Sequence, residues 1–328
     1  MAKIEFSYRT VLFTLGLLAG VWVFIQIRDI LFLLFIAFLL MTAIHPLVVM
    51  LERIRIPRVL SILIVYVVVF GLFGVSLAGT IPLLVTQSTK LITDLPTFAA
   101  RVLPYWNIDV GMLTKQIAPI SENIVGVTVG IFSNVITTLT TLVFTFYFLL
   151  ERPRAEQVLT PLVGEQMTKK TIAILRAIEK RLGKWVRGEL MLMFSIGIFS
   201  YIGLMVLHVD FALPLAIIAG VLEIVPTIGP IVSAIPAILV ALAISPFLAL
   251  TVAALYFIIQ QTENNLLVPL VMKRTIGFSP LVTILSVMIG GRFAGAIGAV
   301  LAVPLLLVLQ ILVAELFIQK SGATSRSA

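Results

Sequence analysis

Apolar residues dominate this chain in long runs, and short polar or basic stretches separate the runs. A helix needs about 20 apolar residues to cross a hydrocarbon core about 30 Å thick. Runs close to this length occupy residues 10–27, 30–44, 59–81, 127–150 and 190–207. Because Arg28 and Asp29 interrupt the first two runs, we expect these runs to form a helical hairpin that ends at His45 and Pro46.

Residues 211–244 form an apolar region that is long enough for two passes but is broken near its middle. The half at 212–225 has fourteen residues. As a helix it would be about 21 Å long, which is too short to cross the core. We therefore predict a re-entrant helical hairpin that enters from outside and has its tip at 226–230. Two complete tilted spans are the alternative.

Residues 279–312 repeat this design, with two apolar halves around a tip formed by Gly290, Gly291 and Arg292. This second hairpin would enter from inside. Two opposed hairpins match the inverted arrangement found in many secondary transporters. The alternative is a packing face, because the glycines between 290 and 298 would let two helices approach closely.

Positive charge is concentrated in residues 151–189, which contain nine Lys or Arg residues and are predicted to be cytoplasmic. Counting spans from this region places both termini and the 45–58 loop inside. One helical face of the region is apolar, which predicts a basic amphipathic helix lying in the inner membrane interface. A helix packed on a neighbouring subunit is the alternative. The apolar face comprises Ile172, Leu175, Ile178, Leu182 and Trp185.

Residues 82–126 are nearly neutral, contain four prolines, and are predicted to form a partly helical region outside the membrane. Their leucine spacing predicts either a contact face between subunits or packing on the membrane surface. The chain then divides into N-terminal spans (1–81), an extracytoplasmic amphipathic region (82–126), a span (127–150), a cytoplasmic basic amphipathic region (151–189), a transport region (190–318) and a cytoplasmic tail (319–328).

Composition supports a membrane location, since the 328 residues are 60% hydrophobic and only 12% charged. A soluble protein of ordinary composition is excluded, and we predict an all-α polytopic membrane protein with roughly eight hydrophobic segments. We expect the first span to be retained, because no small-residue cleavage site follows it. The net charge of +8 is assigned to inner loops rather than to nucleic-acid binding. Cysteine is absent, which removes thiolate chemistry.

Glu223 is the main candidate for chemistry, because it lies in an otherwise apolar segment just before Pro226 and Pro230. A carboxylate at bilayer depth costs about 2.5–3.5 kcal/mol, and each proline removes a backbone donor. The segment should therefore face protein or a water-filled cavity, where a carboxylate at a helix end would attract a cation or hold a proton. Arg292 precedes a helix whose amides attract anions, so it is a salt-bridge partner of Glu223 or a second contact for the substrate. The remaining alternative is that Glu223 or Arg292 lies at the membrane interface.

Gln260, Glu263 and Asn264 lie where a span meets a polar inner loop. They would line a vestibule or coordinate a cation, although a hydrated helix end explains them equally well. His45 and His208 have no second ligand at metal-binding spacing, so we predict no metal and no cofactor. Because no phosphate-binding loop, zinc-protease motif or nucleophilic triad is present in the sequence, we do not expect an enzyme.

Four segments resemble the autoinducer-2 exporter family of bacterial and archaeal membrane proteins. They are EIVPTIGP at 223–230, QQTENN at 260–265, Gly290-Gly291 with the glycines and proline that follow, and Arg187-Gly188-Glu189 leading into a span. The resemblance implies a homo-oligomeric transporter of the prokaryotic inner membrane. Members of this family are assigned either to export of autoinducer-2 or to exchange of sodium or lithium for protons, so the resemblance leaves the substrate open.

We therefore expect a membrane transporter with two opposed hairpins that exports a small polar metabolite such as autoinducer-2. Exchange of Na⁺ or Li⁺ for protons is the alternative, and a non-transporting membrane scaffold, with both tips packed dry, is a further one. The expected transport or ion-binding residues are Glu223, Pro226, Gly229, Pro230, Gln260, Glu263, Asn264, Gly290, Gly291 and Arg292.

Overall fold

The computed structural model describes residues 8–71, 135–272 and 278–324, and no strand occurs within these ranges. The all-α class is thus confirmed for the part of the chain that is described. The extracytoplasmic region expected at 82–126 lies outside the described residues and stays a prediction. The helices are α1 (Tyr8–Arg53), α2 (Arg58–Gly71), α3 (Val135–Glu151), α4 (Ala155–Val163), α5 (Glu165–Val206), α6 (Ala212–Leu222), α7 (Ile228–Ile244), α8 (Pro246–Thr262), α9 (Val268–Met272) and α10 (Pro280–Thr324).

Two continuous helices among the described residues, Leu12–Arg53 and Glu165–Val206, are long and apolar enough to cross a membrane, and the apolar stretch Leu281–Ala314 is also long enough but is broken at 294–295. Large apolar side chains are exposed along all three. A lipid bilayer solvates such side chains without the penalty that water would impose. The described part of the chain therefore has the surface of a protein embedded in lipid.

α1 is one continuous helix of 46 residues, so the hairpin predicted at Arg28 and Asp29 is wrong. At about 1.5 Å per residue the helix is about 69 Å long. Arg28 and Asp29 are exposed neighbours whose side chains pair at 3.6 Å, and neither residue removes a backbone donor. A charged pair on the outside of a helix does not end it. The helix also continues past His45 and Pro46, where we expected it to stop.

α5 is likewise continuous over 42 residues and joins the basic amphipathic region to the span that follows it. Its apolar face is buried in the same chain, because Ile178, Leu182 and Trp185 share a core with Leu39 of α1. A Cβ at Gly183 would lie 2.7 Å from the carbonyl oxygen of Thr42, which shows how closely the two helices approach. The predicted location of this face in the membrane interface is therefore wrong.

α2 and α3 pack against the C-terminal half of α1 around a second core that includes Met41 and Ile62. Arg58 fixes the start of α2 in this bundle. Its Nε donates to the carbonyl oxygen of Leu149 at 2.9 Å, and its Nη1 donates to the Glu52 carboxylate at 2.7 Å. Backbone and charge contacts thus hold the three helices together at their charged end.

The first broken hairpin consists of α6, with 11 residues, and α7, with 17. The turn between them, residues 223–227, falls where the proline-rich segment predicted a break. α6 is only about 17 Å long, shorter than the hydrocarbon core. A side chain at Gly229 would collide with the carbonyl oxygen of Leu222, so only glycine lets the chain fold back this tightly.

α10 contains the second hairpin, because its backbone leaves helical geometry at Ala294 and Gly295. Gly295 has a φ of 59°, a conformation that glycine adopts without steric cost. The two arms then fold onto each other, with the backbones of Gly290 and Gly298 in direct contact. The tip is therefore at 294–295, and the predicted tip at 290–292 is wrong, since Gly290 and Gly291 face the other arm and Arg292 is exposed.

Candidate functional site

Three glutamates from separate elements are buried together in the core around α5. Glu189 of α5 is 4% exposed, Glu223 at the end of α6 is 1% exposed, and Glu263 after α8 is 6% exposed. We call these three residues the carboxyl cluster. Buried carboxylates are rare in proteins, and in a membrane protein they are functional candidates by default.

Close helix packing brings the carboxyl cluster together. α6 lies along α5, since a Cβ at Gly220 would be 2.7 Å from the carbonyl oxygen of Met193. α8 lies along another part of α5, where Leu255 packs against the position of Gly203. The hairpin tip and the end of α8 therefore reach the same level of α5 as Glu189.

The carboxyl groups interact directly. The Glu223 and Glu263 carboxyl groups are close neighbours, and Glu189 is near enough to this pair to repel it when charged. Gln260 Nε2 donates to Glu263 Oε2 at 3.0 Å. Oε2 of Glu223 is buried, and no donor among the described residues reaches it.

The cluster has no basic partner among the described residues, where each ion pair involves other carboxylates. Two carboxyl groups can hydrogen-bond to each other only if one of them carries a proton. Three desolvated negative charges at one place would also be prohibitively costly. The arrangement is therefore suited to holding protons, or to exchanging them for a cation.

A π-helical turn at Glu263–Leu267 sets the direction of the amide-rich segment between α8 and α9. Such turns insert one extra residue per turn and are frequent at functional sites. Here Glu263 points into the core while Asn264 is exposed. Of the predicted residues in this segment, Gln260 and Glu263 join the cluster, and Asn264 does not.

The other predicted residues of the first hairpin shape its tip. Pro226 and Pro230 are half-buried, and Gly229 is buried where the chain turns back. The backbone N–H of Gly229 donates to the carbonyl oxygen of Val225 at 2.9 Å. These residues position Glu223, which is the first residue of the turn.

The second hairpin does not bring Arg292 to Glu223. Arg292 is exposed, and no ion pair joins it to any member of the carboxyl cluster in the described ranges. Gly290 and Gly291 lie where the arms of α10 cross, and this hairpin packs against α5. The salt bridge between the two tips, which was one of the alternatives for Arg292, is therefore absent from this conformation.

Glu189 is the functional candidate that sequence reasoning missed. It is the last residue of the basic region, so it resembles an ordinary charge at the end of a loop. The sequence does contain one indication of its burial, which is Gly188 just before it, because a glycine lets another helix approach closely. A Cβ there would lie 2.7 Å from Sδ of Met272, so α9 packs directly on this part of α5.

Apolar helices, two broken hairpins and a buried carboxyl cluster define an α-helical membrane transport protein. Comparison with known families gives the particular family: the model of the AI-2E family transporters matches residues 11–318, and the chain belongs to this family. The resemblance seen in the hairpin and amide motifs is thereby confirmed.

Individual relatives agree with this assignment. The chain is 31% identical over 274 residues to YrrI of Bacillus subtilis, which is named as a transport protein without a stated substrate, and the match covers 78% of each chain. It is 28% identical over 306 residues to the AI-2 transport protein TqsA of Escherichia coli, covering 85% of this chain and 82% of TqsA.

Proposed function

We propose that this protein is a proton-coupled transporter in which the carboxyl cluster loads and releases the coupling proton. The observation that carries this proposal is the contact between the buried carboxyl groups of Glu223 and Glu263, which have no Lys or Arg partner in the described ranges. Such a pair retains a proton while it is shielded from water and releases it when a conformational change hydrates it. When Glu189 is ionised, its negative charge favours the return of a proton to the pair.

The leading substrate is a small polar metabolite of the autoinducer-2 type. Support comes from TqsA, a relative that is named for transport of AI-2 and shares 28% identity with this chain. The exposed Arg292 and the amides near the second tip would contact polar oxygens of such a solute. Hydroxyl-rich solutes suit donors of this kind.

Exchange of Na⁺ or Li⁺ for protons is the second candidate. It is favoured by the excess of carboxylates over cations at the cluster, where a monovalent cation would replace the protons. No group of His, Cys, Asp or Glu in the described ranges has the geometry of a preformed metal site. A cation would therefore enter only after the protons leave.

Burial of Glu223 fits the occluded state of a transporter, and it equally fits the dry packing expected of a membrane scaffold. Flux separates these two functions. The decisive experiment uses proteoliposomes that contain a pH-sensitive dye and the full-length chain. Na⁺, Li⁺ or autoinducer-2 is added outside, and proton movement is recorded together with uptake of the labelled solute.

We expect solute-dependent proton flux that falls to the level of protein-free liposomes in Glu223→Gln and Glu263→Gln. The matched control is Glu165→Gln, because Glu165 is exposed and its ion pair is with Lys169, at 2.6 Å. Flux with autoinducer-2 but not with Na⁺ supports metabolite export, and the reverse supports cation exchange. No flux with any solute, or wild-type flux in both cluster variants, overturns the proposal.

For orientation, we propose a prokaryotic inner membrane location with both termini in the cytoplasm. The support is the set of Lys and Arg residues just before α4 and along the first half of α5, since positively charged segments stay on the cytoplasmic side. Protease digestion of right-side-out and inverted vesicles tests this. Cleavage within α4 in right-side-out vesicles would contradict it.

A further inference from the structure

A cavity of about 230 Å³ lies between the end of α1 and the basic half of α5. Five cations line it, together with the Glu179 carboxylate and apolar and polar groups of α1. The cations are Arg152, Arg176, Lys180, Lys184 and Arg187. We call this feature the basic cavity. It is separate from the carboxyl cluster, none of whose members line it.

Helix geometry explains why the charges converge. Four of the cations recur on α5 at intervals of four, four and three residues, which places them on one face of the helix. Arg152 approaches from the turn between α3 and α4. Thr42 and His45 of α1 form another wall.

Most of this positive charge is not neutralised within the described chain. Glu179 is the sole acidic residue of the lining, and Arg152 contacts it through Nε at 2.8 Å and Nη2 at 2.7 Å. Arg176 is 3.7 Å from Glu156. The remaining cations, Lys180, Lys184 and Arg187, form no ion pair with a carboxylate of the described residues.

Like charges four residues apart on a helix destabilise it, and a bound anion reverses that effect. Guanidinium groups bind phosphate through two parallel hydrogen bonds, and lysines add charge at the same group. Arg187 is already oriented, since its Nη1 donates to the carbonyl oxygen of Thr42 at 3.3 Å. The lining therefore has the chemistry of a phosphate site.

The position of the cavity indicates where the phosphate comes from. Arg187 is the last cation before the apolar half of α5, and Leu190 and Met191 just beyond it are exposed. Basic pockets between membrane helices bind the headgroups of anionic lipids, whose acyl chains lie along such apolar side chains. We propose that the basic cavity binds a phosphate group, and that the headgroup of an anionic phospholipid supplies it.

The test uses the purified full chain in detergent and the double variant Lys180→Gln/Lys184→Gln. Both lysines are exposed and unpaired, so the variant should fold. The matched control is Lys169→Gln/Lys170→Gln, which makes the same charge change on α5 outside the cavity. Thermal unfolding is followed by tryptophan fluorescence during titration with dioleoylphosphatidylglycerol, with dioleoylphosphatidylcholine as the neutral lipid.

We expect phosphatidylglycerol to stabilise the wild-type and control proteins, with half-maximal effect at a lower concentration than phosphatidylcholine. In the cavity variant this concentration should rise about 30-fold, on the order of fivefold for each lysine removed. Lys180→Arg/Lys184→Arg should restore tight binding, because arginine keeps the charge. A loss in the control equal to that in the cavity variant, or no loss in either, overturns the proposal.

A second arm separates the two sources of phosphate, using glycerol 1-phosphate with chloride at matched ionic strength. Stabilisation by phosphatidylglycerol alone supports the lipid headgroup. Stabilisation by glycerol phosphate alone, if lost in the cavity variant, overturns the lipid source. If the cavity variant fails to fold, native mass spectrometry of the Lys184→Gln protein counts bound phosphatidylglycerol, and retention of the wild-type number overturns the proposal. This test does not depend on transport activity.

Discussion

Replacing Gly229 by alanine tests how tightly the first hairpin turns. The added Cβ would collide with the carbonyl oxygen of Leu222, and it would lie 2.5 Å from the Leu222 carbonyl carbon and 3.1 Å from the Glu223 nitrogen. All three obstructing atoms belong to the backbone, so no side-chain rotation relieves the clash. Overpacking of this kind costs about 1–3 kcal/mol, and the rigid obstruction points to the upper end.

Gly291→Ala is the matched control, since it makes the same chemical change in the second hairpin. There the Cβ would lie 3.8 Å from the Cβ of Ala299, which is an ordinary contact. Alanine is favoured over glycine within a helix by about 1 kcal/mol, so this variant should be as stable as wild type or more stable. If Gly229→Ala lowers the free energy of unfolding and Gly291→Ala does not, the loss cannot be a general result of replacing glycine by alanine.

The assay is equilibrium unfolding of both variants in the same detergent, followed by circular dichroism. Glu223 directly follows Leu222, so a displaced turn should also disturb the carboxyl cluster and reduce proton flux in proteoliposomes. If Gly229→Ala unfolds with the same free energy as Gly291→Ala, the reasoning about the tip is refuted.

Two further substitutions test other contacts in the same detergent. Gly298→Val should lower the free energy of unfolding by about 1–3 kcal/mol, because its side chain would meet the backbone of Gly290 and separate the arms of α10. A wild-type melting temperature would contradict this. Arg58→Gln should cost about 1–3 kcal/mol, because it removes hydrogen bonds to Leu149 and Glu52. Arg58→Lys should recover only part of the lost free energy of unfolding, because lysine keeps the charge but not the paired hydrogen bonds. Full recovery would show that charge alone matters.

The break in the first hairpin was predictable because the residues at the break determine it by themselves. Proline removes a backbone donor wherever it occurs, and glycine permits a close turn, so the interruption after Glu223 follows from the residues themselves. The polar pair Arg28-Asp29 misled for the opposite reason. Charge on the surface of a helix is compatible with the helix, and α1 continues even past Pro46.

The second tip was predicted in the right region but at the wrong residues. Gly290, Gly295 and Gly298 look alike in sequence, yet Gly295 turns the chain and the other two let the arms touch. Which role each glycine has depends on the backbone angle and on the neighbouring arm. Neither quantity can be read from a single sequence.

The carboxyl cluster shows the same limit at the functional site. Glu223 and Glu263 were identifiable because each interrupts or borders an apolar run, but their contact depends on how α6 and α8 pack on α5. Glu189 also borders an apolar run, but at the end of the basic region it looks like an ordinary loop charge. Its burial follows from the close approach of α9 at Gly188, so only the packing of helices distant in sequence turns an apparently ordinary loop charge into the third member of the cluster.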